Sequence, residues 1–148
     1  QLQVEWCKVD PGGVTRLGGD DEISMLCFPQ KHPGGSLAFT LEDRVKKKIV
    51  YATDTEGDLG KDFAGFAAGA DLLMHECNFS DQYTELAIKT GHTSYSRLKA
   101  VAHHCDPKKL LVTHLNPLDV AEPIDPKPLE EILGCPVVIA EDGLEVAF

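Results

Sequence analysis

The sequence has no Cys-x-x-Cys pair. Its five cysteines, Cys7, Cys27, Cys77, Cys105 and Cys135, are odd in number and widely spaced, which argues against both a structural zinc site and a disulfide framework. Each lies among apolar neighbours, where a free thiol behaves as a small core hydrophobe, and a reducing, cytoplasmic compartment is the expectation. No apolar run approaches the ~20 residues of a membrane helix. The start, QLQVEWCKVD, offers neither the charged nor the apolar segment of a signal peptide. Basic charge is scarce as well: 14 Lys and Arg stand against 24 Asp and Glu, a net charge of −10 that repels a phosphate backbone unless lysines gather locally. They gather only at Arg44 to Lys48, which reads as a hairpin turn with Lys46, Lys47 and Lys48 in solvent.

What is present is an ordinary globular composition, 43% hydrophobic and 26% charged over 148 residues. That length makes one domain and buries roughly two thirds of the unfolded surface. Leu2, Val4 and Trp6 alternate with Gln3 and Glu5 as a half-buried strand would, and Pro11, Gly12 and Gly13 turn it. Ile23 to Phe28 reads as a second strand, KHPGGS as a glycine-permitted bend, and Ser36 to Leu41 with Lys48 to Thr53 as an antiparallel hairpin. Phe63, Phe66 and Ala67 mark a short helix ended by Gly69, and Asp71 to Cys77 a buried strand. Ser80 to Lys89 reads as a helix. Thr93 is the expected cap of another, in which Leu98, Val101, Ala102 and Cys105 keep helical spacing. Lys109 to Thr113 is a further buried strand. A helix near Pro128 to Leu133, a strand Val137 to Ala140 and, past an Asp142-Gly143 turn, a last strand Leu144 to Phe148 close the chain. Strands first, then strand and helix in alternation, predict an α/β fold with a mixed sheet whose later part is parallel.

The chemistry-bearing residues sit beside strands. Asp54 follows the run IVYA, His32 lies in the bend, and His114 ends KLLVT, so one sheet edge can gather all three, and Asp with His suits zinc, manganese or iron. Singly, each has a plainer reading: a solvated loop histidine, a turn-forming aspartate, a satisfied core histidine. His75 and Glu76 close another strand, where alternation sends them to opposite faces and either can orient a ligand. His92, in GHTS, precedes a helix start, where it can meet a phosphate or a developing oxyanion or be an ordinary capping-region residue. His103 and His104 fall off the apolar stripe of their helix and read as exposed.

Four motifs in one order, KHPGGS, YATDTE, HECNF with GHTS, and VTHLNP, resemble the C-terminal half of a metallo-β-lactamase-fold hydrolase of the ribonuclease Z and phosphodiesterase kind, over Lys31 to Pro117. The resemblance implies half of an αββα sandwich, a mixed β-sheet flanked by helices, with residues 1–148 as a single domain. It implies two divalent metal ions, zinc first and manganese or iron as alternatives, with His32 on one, Asp54 bridging both and His114 on the second. His92 would assist the leaving group, Glu76 would pair with it, and a metal-bridged hydroxide would attack phosphorus. The substrate class so implied is a phosphodiester, either a small molecule or an RNA 3′ end.

The family's His-x-His-x-Asp-His is absent from the 148 residues. The chain is therefore expected to be a fragment, inactive alone, that needs a missing N-terminal half or another copy as partner, a homodimer included. A non-catalytic, metal-free binding domain on the same fold is the alternative.

Overall fold

The computed structural model describes residues 6, 8–17, 22–117 and 124–148. Among these residues seven strands form one sheet in sequence order: β1 (Val14–Leu17), β2 (Ile23–Gln30), β3 (Ser36–Asp43), β4 (Lys48–Ala52), β5 (Leu72–Glu76), β6 (Leu110–Thr113) and β7 (Val137–Ile139). β1 to β4 pair antiparallel and β4 to β7 parallel, so the mixed sheet with a parallel later part is observed. Four helices accompany it, α1 (Lys61–Ala67), α2 (Thr84–Thr90), α3 (Tyr95–Cys105) and α4 (Pro126–Leu133), the second entered through a 3-10 turn at Asp81–Tyr83.

The register explains which face is the core. Val50 pairs with Leu73 and Leu73 with Leu110, and these side chains pack with Phe63 of α1, Leu98 and Val101 of α3 and Leu129 of α4. Phe63, Leu98 and Leu129 are wholly buried, each contributing about 1.5–3 kcal/mol of transfer free energy. The alternate residues Phe39, Leu41, Ile49, Tyr51 and Met74 line the opposite face, also in register, and remain partly exposed.

Asp71 ties the near ends of three strands together. Its carboxylate accepts the Lys48 backbone N–H at 2.8 Å and the Lys108 ammonium at 2.9 Å, with Lys47 at 3.5 Å. The backbone bond first, and the Lys108 bond after it, hold its pKa down at about 2. Lys48 is not the solvated turn residue the sequence suggested. Its Nζ donates to the Phe66 and Ala68 carbonyls at the end of α1, 2.7 and 2.8 Å away, where unpaired carbonyls favour a cation. The turn before it is instead held by Asp43, whose side chain accepts the Val45 and Lys47 N–H groups.

Several expectations need correction. The N-terminal strand falls on residues outside those described, except Trp6, which is 91% exposed and in no strand. β1 was not anticipated. Leu144 to Phe148 is no strand: the Asp142-Gly143 turn forms, with Leu144 N–H donating to Glu141, but Lys109 takes the Ala147 carbonyl that a ladder would need. Thr93 does not cap α3, since Ser94 is the cap residue and the Thr93 hydroxyl is drawn inward.

Two outcomes follow from this architecture. The half-exposed apolar face should make the isolated 148-residue chain self-associate, and light scattering that shows a stable monomer would contradict this. Because the folded pKa of Asp71 is depressed, its stabilisation is complete above the ordinary carboxylate pKa of about 4 and is lost as pH falls through about 2. Asp71→Asn should therefore lower the urea midpoint at neutral pH and flatten its dependence on pH between about 4 and 2.

Candidate metal centre

β2 and β4 both run antiparallel to β3, and β4, β5 and β6 are parallel, so the C-terminal ends of β2, β4, β5 and β6 share one edge. Glu76 is the last residue of β5, His32, Asp54 and His114 lie just past the ends of β2, β4 and β6, and the turn from α2 to α3 adds His92. Two of them have strained backbones, Asp54 at φ 55° and His114 at φ 53°, in the left-handed region that non-glycine residues seldom occupy. Such strain costs on the order of 1–3 kcal/mol each and collects at sites where geometry matters more than local comfort.

Hydrogen bonds fix which imidazole nitrogens are open. His32 Nδ1 lies 2.9 Å from the Gly91 carbonyl, which can only accept, so Nδ1 is protonated and the Nε2 lone pair faces Asp54 Oδ1, 3.8 Å away. His92 Nδ1 and His114 Nδ1 donate to the same oxygen, Glu76 Oε2, at 2.9 and 3.1 Å. Each ring then keeps Nε2 free. The rings form a row, His32 to His92 at 5.0 Å and His92 to His114 at 5.3 Å between centroids.

Glu76 is fully buried. Its other oxygen accepts the Thr55 backbone N–H at 2.8 Å and lies 3.4 Å from the Thr93 hydroxyl, which donates to the Thr55 carbonyl at 2.7 Å. Alternation separates Glu76 from His75, which is buried beside Ala52 and Val112. His75 Nδ1–H donates to the Glu76 carbonyl at 2.8 Å, Nε2 has no partner among the described residues, and burial pushes the pKa below its ordinary value, so this ring stays neutral. His103 and His104 are exposed, away from this edge.

Gly91 permits the close approach of the bend to the α2–α3 turn. It sits at φ +78°, and a Cβ there would come within 2.3 Å of Pro33 and 2.9 Å of His32 Nδ1. Neither that contact nor the pairing of Thr93 with Thr55 was read from the sequence. The glycine in GHTS was the available signal for the first; nothing local distinguishes an inward threonine from a capping one.

Two sets of side chains bring potential ligand atoms within 4.8 Å of one another: His32, Asp54 and His92, and Glu76, His92 and His114. Imidazoles with open Nε2 beside a carboxylate fit a borderline divalent ion. In the second set Glu76 is already committed to two N–H groups, the arrangement by which a carboxylate orients ligands. His92 belongs to both sets, between the other two histidines.

The family model described as a beta-lactamase superfamily domain matches residues 1–115. This chain belongs to that family. The superfamily domain is 33% identical over 109 residues to ribonuclease Z of Trichodesmium erythraeum, covering 74% of this chain and 33% of that protein. Its fold matches the short form of human tRNase Z with a TM-score of 0.71 at 24% identity, over 90% of this chain and 46% of the other. It also matches the metallo-β-lactamase fold protein YhfI of Bacillus subtilis, with a TM-score of 0.73 at 24% identity over 91% and 52%. The domain thus spans about half or less of each of these proteins.

With only these ligands, the 148-residue chain alone should bind zinc weakly. Titration followed by calorimetry should give less than one tightly held ion per chain; two tight ions would mean that no further ligands are needed.

Proposed function

We propose that this chain is the C-terminal half of a metal-dependent hydrolase that cleaves phosphodiester bonds, and that its remaining metal ligands come from a segment outside residues 1–148. The observation that carries this reading is the convergence at one sheet edge of His32 Nε2, Asp54 and two histidines oriented by one buried carboxylate. Ribonuclease Z and tRNase Z among the relatives support the phosphodiester class. The net charge of −10 leaves a small nucleotide ester as suitable a substrate as an RNA 3′ end.

His32, Asp54 and His114 would hold two divalent ions, zinc by preference, with Asp54 shared. Bound there, the ions would acidify water and offset charge on the phosphoryl oxygens. The chain's own residues do the rest. Asp54 and His114 are preset by their strained backbones, and the Gly91 carbonyl keeps the His32 lone pair pointed at Asp54. His92, its ring held by the Nδ1–H bond to Glu76, would present Nε2 as the proton donor to the departing oxygen. Glu76, saturated on both oxygens, fixes the rings of His92 and His114 relative to each other.

A second assignment is favoured by one observation: His92 falls in both potential ligand sets, so it can serve as a metal ligand instead of an acid. Single substitutions in the full-length protein separate the two. Asp54→Ala should remove metal and hydrolysis of bis-p-nitrophenyl phosphate together. His92→Ala should keep the metal and lower kcat on an unactivated phosphodiester by roughly 10²- to 10⁴-fold. Loss of metal from His92→Ala would assign it as a ligand, and a metal-free full-length protein without hydrolytic activity would favour the non-catalytic binding domain.

A further inference from the structure

Glu76 Oε2 accepts from the rings of both His92 and His114, yet the two histidines are not equally secured. The His92 side chain is 17% exposed, lies against the rings of Phe79 and His32, and has its backbone N–H on the Ala87 carbonyl at 2.8 Å. The His114 side chain is 39% exposed, so water competes with Glu76 for its ring. Its backbone is strained as well, at φ 53°, and relaxation of that angle would carry the ring away from Glu76. Residue 114 needs a second hold.

Asn78 supplies one. The ladder between β5 and β6 ends where the Cys77 N–H donates to the Thr113 carbonyl at 3.0 Å. At the next residue, His114, the chain turns left-handed, and its carbonyl accepts from Asn78 Nδ2 at 3.0 Å. A carbonyl only accepts, so the amide nitrogen and not the amide oxygen must face it. The backbone N–H of Asn78 donates to the Thr93 carbonyl, also at 3.0 Å, one residue past His92. Asn78 therefore grips the same two segments whose rings Glu76 joins. Only its grip on His114 uses the side chain.

We infer that Asn78 is a positioning residue for His114. Its side-chain amide holds the strained backbone so that the ring keeps Nδ1–H on Glu76 and Nε2 open, and so it sets how tightly an ion on His114 is held. The statement about the ion rests on the metal centre proposed above; the statement about the ring does not. An exposed imidazole released from Glu76 shares its proton between Nδ1 and Nε2, and a protonated Nε2 cannot ligate.

Asn78→Ala deletes the bond to His114 and keeps the backbone bond to Thr93. In the full-length, metal-free protein at about pH 8, where neutral imidazole dominates, ring nitrogen NMR shifts should show His114 as a mixture of tautomers and His92 still as Nδ1–H. The thermal midpoint should stay within about 2 °C of wild type. Zinc competition with a chelator should find one of two ions held roughly 10- to 100-fold more weakly and the other within about threefold. Excess zinc should return kcat on bis-p-nitrophenyl phosphate to within about twofold of wild type. Asn78→Leu, which fills the space without a donor, should behave as Asn78→Ala does. An unmoved His114 tautomer, unchanged zinc affinities, or lost activity that excess zinc does not repair would overturn the inference. So would a joint change of both histidines with a lowered midpoint, because Asn78 would then support the fold and not one ring. A wild-type protein that holds no zinc, with the His114 tautomer alone responding to Asn78→Ala, would uphold the hold on the ring and sink the metal centre.

Discussion

A carboxylate removed from water costs several kcal/mol unless hydrogen bonds replace what the solvent gave it. Glu76 is wholly buried, and its two oxygens are met by a backbone N–H from Thr55 and by ring N–H groups from His92 and His114. Those partners come from three separate places: the loop after β4, the turn before α3 and the end of β6. One buried charge therefore draws together segments 21, 16 and 38 residues away from it in sequence. Withdrawing any one partner leaves the others bound to an under-satisfied anion, so the arrangement is sustained as a whole.

The opposite end of the strands repeats this logic with different chemistry. Asp71, before β5, gathers the backbone of β4 and lysines from both sides. A sheet with a carboxylate at each end of β5 has its register fixed twice over, and the apolar pairs between, such as Val50 with Leu73 and Leu73 with Leu110, need only fill space.

Much of this was legible in the sequence because strand ends are local events. Asp54 after IVYA, His114 after KLLVT and the strand before His75 and Glu76 could be placed by runs of apolar residues alone, and parallel order then put their ends on one edge. What escaped was non-local. Glu76 was expected beside His92, but its second bond, to His114, depends on the spacing of β5 and β6. Thr93 has the composition of a helix cap and turns inward because Thr55 presents a carbonyl 38 residues away in sequence. The closing segment Leu144 to Phe148 has strand-like alternation, yet a lysine claims the carbonyl that a ladder would use.

The glycine at position 91 has a dynamic consequence. Its carbonyl is bonded to His32, and the space where a side chain would stand is filled by Pro33 and His32. The β2–β3 bend and the turn between α2 and α3, 59 residues apart in sequence, therefore pack against each other, and opening either one breaks the His32–Gly91 bond and uncovers Pro33, a cost that couples their local fluctuations.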